Sequence, residues 1–189
     1  MKVTIAVPFH WMENWQFFLT RCLESIEKQT YKDYEVVLIK HSTMPVTSNR
    51  VIESATGDII KILYMDDFFT DESSLKEIVD NFKGGWLVTG CLHARGEGPD
   101  NYHFPSFGGI EMGYNTIGSP SVLAFENRTP QLFNINMSWL LDVELYRRLY
   151  GRYGAPTILD TPNVTIGIHK GQMTHILTEQ EKESERQFL

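Results

Sequence analysis

The stretch IIKILYMDDFF, residues 59–69, is an apolar run that stops at two adjacent aspartates, Asp66 and Asp67. Its β-branched and apolar residues predict a buried strand over residues 59–65. Neighbouring carboxylates repel each other and resist leaving water, so their place at the end of a core strand needs an explanation. A bound cation, a helix N-terminus or exposure at a turn would each relieve the repulsion.

On the N-terminal side of this strand, strand and helix patterns alternate. VTIAV (3–7) and YEVVLIK (34–40) are short runs typical of buried strands. Between them, NWQFFLTRCLESIEKQ places apolar residues at helical spacing, with Asn14 as the predicted N-cap. TSNRVIESATGD predicts a short helix that ends at Gly57, the expected C′ glycine.

On the C-terminal side of the strand the alternation continues. TDESSLKEIVDNF predicts an amphipathic helix, and GGWLVTGCL predicts a further strand. Strands that alternate with helices imply right-handed crossovers and a mainly parallel sheet with helices on both faces. The sequence therefore predicts the α/β class.

After His93 the chain becomes rich in glycine, proline and aromatic residues and loses clear periodicity. A long irregular stretch inside a domain is typical of a functional or mobile loop, so residues 93–115 are a candidate lid. Order returns with a predicted strand in SVLAFEN, a helix over 139–150, one or two strands within 156–175 and an exposed, charged C-terminal helix. No repeat or linker divides the chain, so we expect a single domain.

Composition excludes several classes of protein. The net charge of −7 leaves no basic face for a nucleic acid. Cys22 and Cys91 lie in apolar contexts, which indicates buried thiols and not a disulfide framework. The N-terminus is too short and strand-like for a signal peptide, and no apolar run is long enough to span a membrane. We therefore expect a soluble, cytoplasmic protein.

The residues that follow the predicted strands should share one edge of the sheet, where ligands bind in open parallel sheets. They comprise His10, Lys40-His41, the Asp66-Asp67 pair, and His93 with Arg95. A divalent cation that bridges the aspartates to a diphosphate would relieve their repulsion and neutralise a leaving pyrophosphate. The alternative is that the pair belongs to a turn or caps the next helix, since an acidic pair alone is a weak motif.

The order of these segments resembles the family-2 glycosyltransferases of the GT-A fold. The stretch TIAVPFHWMENWQFFLTRCLESIEKQTYKDYEVVLIKHS is similar to that family's opening, in which a strand ends in proline and a helix contains "CL-SI--QT". SNRVIESATGDIIKILYMDD is similar to "N-G---A-GD-I-FLD-DD", and NMSWLLDVELYRRL resembles the acceptor-side "ED-EL--R" helix. The resemblance is close over roughly the first 70 residues and weakens through the aromatic loop.

The resemblance implies roles for particular residues. Asp66 and Asp67 occupy the metal and nucleotide-sugar motif, with Asp67 the expected direct ligand of Mn²⁺ or Mg²⁺. Asp142 matches the general base that deprotonates the acceptor hydroxyl in an inverting transfer; the alternative is an aspartate placed by the helix dipole. His169, or less favourably His175, matches the late histidine that reaches back to the metal or the diphosphate. Isolated histidines are as often packing residues.

Other positions are matched less firmly. Pro8, Phe9 and Asn49 lie where the family contacts the nucleoside, although a strand stop and a helix start explain them equally well. His41 stands where the family has an acidic pair that commonly recognises the base, so the nucleotide is left open among the UDP, GDP and dTDP types. Trp139, three residues before Asp142, is either an acceptor-stacking residue or part of the core.

The function predicted from the sequence is a metal-dependent inverting transfer from a nucleoside-diphosphate sugar to a hydroxyl of a sugar, glycan or glycolipid. We expect residues 1–92 to bind the donor, residues 93–175 to hold the acceptor and catalytic groups, and residues 176–189 to form a charged terminal segment. The alternative is a non-catalytic nucleotide-sugar or carbohydrate-binding module on the same fold. A nucleotidyltransferase is disfavoured, because PFHWMEN is not a Gly-rich phosphate loop.

Overall fold

The computed structural model describes residues 1–95 and 99–189. Within these ranges the strands are β1 (Val3–Phe9), β2 (Tyr34–Lys40), β3 (Ile59–Ile62), β4 (Phe68–Phe69), β5 (Trp86–Ala94), β6 (Pro99–His103), β7 (Leu123–Glu126) and β8 (Thr157–Gly167). The helices are α1 (Trp15–Glu27), α2 (Met44–Glu53), α3 (Ser74–Asn81), α4 (Leu141–Tyr153), α5 (Met173–Ile176) and α6 (Glu179–Arg186). Two single 3₁₀ turns, Ile110–Met112 and Pro120–Val122, lie in the segment before β7.

The strands form one sheet in the order β2-β1-β3-β7-β5-β8-β4, with β6 paired to β5 outside this path. The neighbours β2-β1, β1-β3 and β5-β8 are parallel. Strand β7 runs antiparallel to both β3 and β5, and β4 runs antiparallel to β8. The predicted α/β class is confirmed, with a sheet that is mixed because β7 enters its centre against the direction of its neighbours.

The core is built from the apolar faces that the periodicity predicts. Strand β3 is buried along its whole length, and α1 turns Cys22 and Ile26 inward. Both cysteines are buried free thiols. Trp86 on β5 stacks on Tyr146 of α4 with ring centroids 5.9 Å apart, which joins the sheet to the helix that carries Asp142.

Several element ends differ from the sequence prediction. Asn14 is the N-cap of α1 in a left-handed conformation, but its side chain makes no capping hydrogen bond. Helix α2 ends at Glu53, so Gly57 is not its C′ residue. Gly57 instead lies against β1, and a Cβ there would stand 2.6 Å from the backbone nitrogen of Thr4. The glycine is required by this close approach of two backbone segments and not by a helix end.

The segment after His93 is more ordered than its composition suggests. Residues 99–103 form β6, which extends β5 as an antiparallel partner with Cys91 opposite His103. Residues 96–98, near the start of the predicted lid, lie outside the described residues. The later part of this segment, up to Asn115, reaches the N-terminal end of α4, where it contacts Asp142.

Candidate active site

The turn after β3 and the loop after β8 bring Asp66 and His169 together. Asp66 Oδ2 lies 2.9 Å from His169 Nε2, and both side chains are mostly buried. The pairing of β4 with β8, with Phe68 opposite Thr165, sets this approach. The approach also requires a glycine at residue 167, because a Cβ there would overlap the Asp66 carbonyl oxygen.

The hydrogen bonds of His169 define its tautomer. The Gly171 N–H donates to His169 Nδ1 over 3.1 Å, so Nδ1 carries no proton. Nε2 is therefore the N–H that donates to the Asp66 carboxylate. Phe18 of α1 packs against the imidazole with ring centroids 5.1 Å apart. The ring is held between an aromatic side chain and two hydrogen bonds.

Arg21 of α1 fixes the backbone of the same turn. Its Nη2 donates to the Asp66 carbonyl oxygen over 2.7 Å, and its guanidinium lies 4.3 Å from the Phe68 ring centroid. A charge-assisted bond of this kind restrains the turn from the helix side of the sheet. No motif in the sequence pointed to Arg21, because its partner is a backbone atom 45 residues away.

Asp67 is more deeply buried than Asp66, although it too lines the cavity beside His169. It is 2 % exposed, and its Oδ1 accepts the Gly167 N–H over 3.0 Å. Burial, followed by the neighbouring Asp66 charge, raises the pKa of Asp67 well above its ordinary value. The sequence prediction made Asp67 the more direct metal ligand, whereas this geometry presents Asp66 beside His169 and uses Asp67 to join the turn to β8.

A fully buried lysine lies beneath the acidic turn. Lys61 of β3 donates from Nζ to the carbonyl oxygen of Ile62 over 2.8 Å and also to that of Ser121. Burial lowers the pKa of Lys61 to about 7, and the charge of Asp67 acts in the opposite direction. The Ser121 hydroxyl accepts the Tyr64 N–H over 2.9 Å. Together these bonds tie the turn after β3 to the 3₁₀ turn before β7.

Asp142 lies in the first turn of α4, buried except for 8 % of its surface. Its Oδ2 accepts the Asn115 amide over 2.6 Å, and its Oδ1 accepts the Val143 N–H over 2.7 Å. Asn115 is itself oriented, since its Oδ1 accepts the Gly118 N–H over 2.9 Å. Burial raises the pKa of Asp142 to about 7, so the carboxylate is suited to accept a proton near neutral pH.

The two acidic positions line one cleft with two compartments. The inner cavity, about 190 Å³, is lined by Asp66, His169 and Asp142 among others. The outer cavity, about 500 Å³, shares Asp142 and Trp139 with the inner one. It adds His93, Arg95, His175 and Arg186. Asp142 and Trp139 therefore form the boundary between a compartment beside Asp66 and a basic, wider compartment.

His10 adds a polar atom to the inner cavity. It follows β1, and its backbone N–H points to Met65 Sδ at 3.3 Å. Its Nδ1 is buried and has no hydrogen-bond partner within the described parts of the chain. Burial lowers the pKa of His10, with the Asp66 charge acting in the opposite direction. A buried, unpartnered ring nitrogen beside Asp66 marks a place for a ligand or an ordered water.

Four further predicted positions lie elsewhere. Pro8 is a buried residue of β1, and Phe9 stacks on Trp15 with centroids 6.3 Å apart. His41 is exposed, and its Nδ1 bonds the Ser42 hydroxyl over 3.0 Å. Asn49 is buried, and its amide exchanges two hydrogen bonds with the Phe133 backbone, at 2.9 and 2.7 Å. None of the four lines the inner cavity as the described residues form it.

Two side chains at the site, Asp66 and His169, have the chemistry of metal ligands. Across residues 1–95 and 99–189, no group of three or more His, Cys, Asp or Glu side chains is arranged to hold an ion. Asp66 and His169 offer one carboxylate and one imidazole. The remaining coordination positions of a cation bound there would be filled by a ligand or by water. Within the same ranges, the structure contains no helix with the length and apolar character needed to cross a membrane.

The fold is shared with solved structures that bind nucleotide sugars. S. aureus TarS 1–349 with UDP-GlcNAc matches 97 % of this chain with a TM-score of 0.73 at 14 % identity, and its complex with UDP matches 90 % with a TM-score of 0.68 at 15 % identity. The mannosyltransferase PcManGT from Pyrobaculum calidifontis, with GDP-Man and Mn²⁺, matches 92 % with a TM-score of 0.57 at 14 % identity.

These likenesses show a glycosyltransferase-type fold. This chain spans 64 %, 61 % and 58 % of the three neighbouring chains, respectively. No protein-family profile matches the sequence, and no curated protein matches it.

Proposed function

We propose that this chain is a glycosyltransferase that moves a sugar from a nucleoside-diphosphate sugar to a hydroxyl acceptor with inversion. The observation that carries the proposal is the shared cleft, in which the Asp66–His169 pair and the buried Asp142 line one cavity. The glycosyltransferase-type fold, seen in neighbours bound to UDP-GlcNAc and GDP-Man, supports it.

Asp66 and His169 would hold a Mn²⁺ or Mg²⁺ ion, which would neutralise charge on the departing diphosphate. The carboxylate suits either ion, and the imidazole nitrogen departs from the all-oxygen preference of Mg²⁺. For Nε2 to act as a ligand, the ring proton must move to Nδ1, so the Gly171 N–H must release that atom. Asp67 supports the turn through Gly167, and His10 Nδ1 offers a further contact for the diphosphate or for water.

The chain's own part in the chemical step is proton removal and orientation. The acceptor oxygen forms a bond to the anomeric carbon as the bond from that carbon to the diphosphate oxygen breaks. The diphosphate leaves with the electron pair, and the acceptor proton passes to Asp142. Asn115 and the Val143 N–H hold the Asp142 carboxylate in place for this transfer. The acceptor enters through the outer cavity, where Trp139 offers a ring for stacking.

The test is a thermal-shift screen with UDP, GDP, dTDP and their sugars, each with and without Mn²⁺ or Mg²⁺. A ligand that binds only the native state raises its stability by mass action, by about 2.7 kcal/mol at a hundredfold excess over Kd. We expect one nucleotide type to raise the melting temperature in a metal-dependent way. No shift with any nucleotide would overturn the proposal.

Asp142→Asn then separates an enzyme from a binding module. A transferase should keep its donor-dependent thermal shift and lose release of the nucleoside diphosphate, whereas a module would show no release in either protein. The matched control is Asp160→Asn, which changes an exposed carboxylate on β8 away from both cavities.

A further inference from the structure

Helix α6 supplies a carboxylate to the turn that precedes α4. The Glu185 side chain accepts three consecutive backbone N–H groups, from Ser138 at 2.7 Å, Trp139 at 2.9 Å and Leu140 at 2.8 Å. Leu140 is the N-cap residue of α4 and provides no side-chain cap of its own. The first N–H groups of a helix have no partner within it, and a negative charge there also complements the helix dipole.

Helix α6 also places two cationic side chains beside the Trp139 ring. Lys182 Nζ lies 5.6 Å from the ring centroid of Trp139, and the Arg186 guanidinium lies 5.0 Å from it. Both distances suit a cation–π contact. Arg186 and Trp139 also line the outer cavity. Helix α6 therefore forms part of the wall on the side where the acceptor is proposed to enter.

The other acidic residues of α6 are used within the helix. Glu179 pairs with Lys182 at 2.8 Å, and Glu183 pairs with Arg186 at 2.9 Å. Glu181 completes a capping box with Thr178. Glu185 differs from these three because its carboxylate is directed at another element, 45 to 47 residues away in the chain.

We propose that Glu185 is a positioning residue for the transfer: by binding the amides of residues 138–140 it fixes the Trp139 ring and the start of the turn that carries Asp142. This inference rests on the proposed function. Glu185 does not touch the reacting atoms. It acts through the turn, since Asp142 follows Leu140 by two residues and the Glu144 N–H already bonds the Leu140 carbonyl oxygen over 3.0 Å. Movement of this turn displaces Asp142 from the Asn115 amide.

The first experiment separates positioning from donor binding. We compare Glu185→Ala and Glu185→Gln with the control Asp160→Asn, which lies away from Trp139 and both cavities. Each variant is tested for binding of UDP and GDP with Mn²⁺, and for nucleoside diphosphate release from UDP-GlcNAc and GDP-mannose. We expect Glu185→Ala to lower kcat by at least about tenfold while the donor KM changes by less than about twofold, because only transition-state geometry is lost. Glu185→Gln keeps an accepting oxygen and should retain more activity, and Asp160→Asn should match the wild type.

Formate should rescue Glu185→Ala chemically, which it could not do if the variant were impaired by a general loss of packing. In Glu185→Ala the three amides have lost their acceptor, and a small carboxylate can occupy them. We expect formate to raise the melting temperature and kcat of Glu185→Ala towards the wild type, with no comparable gain in the wild type. If Glu185→Ala does not fold, the kinetic comparison is made between Glu185→Gln and the wild type.

A second measurement needs no turnover. Burial and the charge of Glu185 both raise the pKa of Asp142. The other polar groups near the Asp142 carboxylate are those of Tyr64, Tyr146 and Asn115. Loss of the Glu185 charge alone lowers the pKa of Asp142 in both Glu185 variants, whereas loss of the Asn115 hydrogen bond raises it. Because only Glu185→Ala lacks an acceptor for the three amides, titration of the Asp142 carboxyl carbon by NMR should show a higher pKa in Glu185→Ala than in Glu185→Gln. Unchanged kcat in the Glu185 variants, with donor binding intact, overturns this inference alone. Absence of donor binding in the wild type overturns the proposed function instead.

Discussion

The Asp66 carboxylate and the His169 imidazole lie 2.9 Å apart although 103 residues separate them in the chain. Their contact joins the turn after β3 to the loop after β8. Each side chain alone has an ordinary structural explanation, as an acid in a turn and as a histidine that packs on Phe18. Placed together at the rim of a cavity, they form a carboxylate–imidazole pair suited to a cation.

Asp66→Asn should remove the metal dependence of donor binding. Because the amide lacks the charge that attracts a divalent ion, we expect the affinity for Mn²⁺ in the presence of nucleotide to fall by at least about tenfold. His169→Gln should weaken it in the same direction, and Asp160→Asn serves as the exposed control. Isothermal titration with Mn²⁺ checks the result. Full metal-dependent binding in Asp66→Asn would show that the ion is held elsewhere.

The rate of nucleoside diphosphate release should rise with pH through about 7 and then level off. The pKa of Asp142 is raised to about 7 by burial, and only the ionised form can accept the acceptor proton. Asp142→Asn should lower the rate by roughly 10²- to 10⁴-fold and abolish this rise. The measurement is a pH–rate profile at saturating donor. A profile that stays flat through neutrality in the wild type would exclude Asp142 as the base.

Asn115→Ala should shift the same profile to higher pH. The Asn115 amide donates to Asp142 Oδ2 over 2.6 Å and stabilises the ionised carboxylate, so its removal raises the pKa of Asp142 further. We expect about tenfold lower activity at neutral pH, partly recovered in alkali, since a hydrogen bond to a charged group contributes about 1.5–3 kcal/mol. Asn81→Ala at the end of α3 is the control. Equal losses at every pH would point to a structural defect instead.

Gly57→Ala and Gly151→Ala should change stability in opposite directions. A Cβ at Gly57 would stand 2.6 Å from Thr4 N and 2.8 Å from the Lys2 carbonyl oxygen, so β1 and the segment before β3 must move apart. We expect a loss of about 3 kcal/mol in the free energy of unfolding. Gly151 lies inside α4 with open space around it, and alanine there should add about 1 kcal/mol. Urea unfolding of both variants checks the pair.

Local pattern was sufficient for most of the fold. The hydrophobic spacing of β1, α1, β2 and β3 predicted these elements, because periodicity depends only on neighbours in the sequence. The bounds of β2 agree with the prediction, and those of the other three differ by one to three residues. The residues of β7 did not predict its position in the sheet. The direction of a strand in a sheet depends on the path of the chain that leads into it, and β7 pairs antiparallel with both β3 and β5.

The candidate site likewise combines residues that the sequence predicted with contacts that only the structure shows. The sequence predicted roles for Asp66, Asp142 and His169, which line one cavity, and it favoured Asp67 over Asp66 as the direct metal ligand. Only the tertiary structure shows that Asp67 Oδ1 accepts the Gly167 N–H while Asp66 Oδ2 lies beside His169. For Asn49, the structure shows a contact that the sequence did not predict, since its amide makes two hydrogen bonds with the Phe133 backbone.

The sequence by itself determined which segments become strands and helices and which side chains have the chemistry for a site, because propensity and periodicity are local properties. Only the tertiary structure decided which of those side chains meet. Asn115, Glu185 and Arg21 carry no local signal, and they matter because folding places them against Asp142, the turn before α4 and the Asp66 backbone. Such contacts join residues 27 to 47 positions apart, and a hydrogen bond over that separation is set by the path of the whole chain.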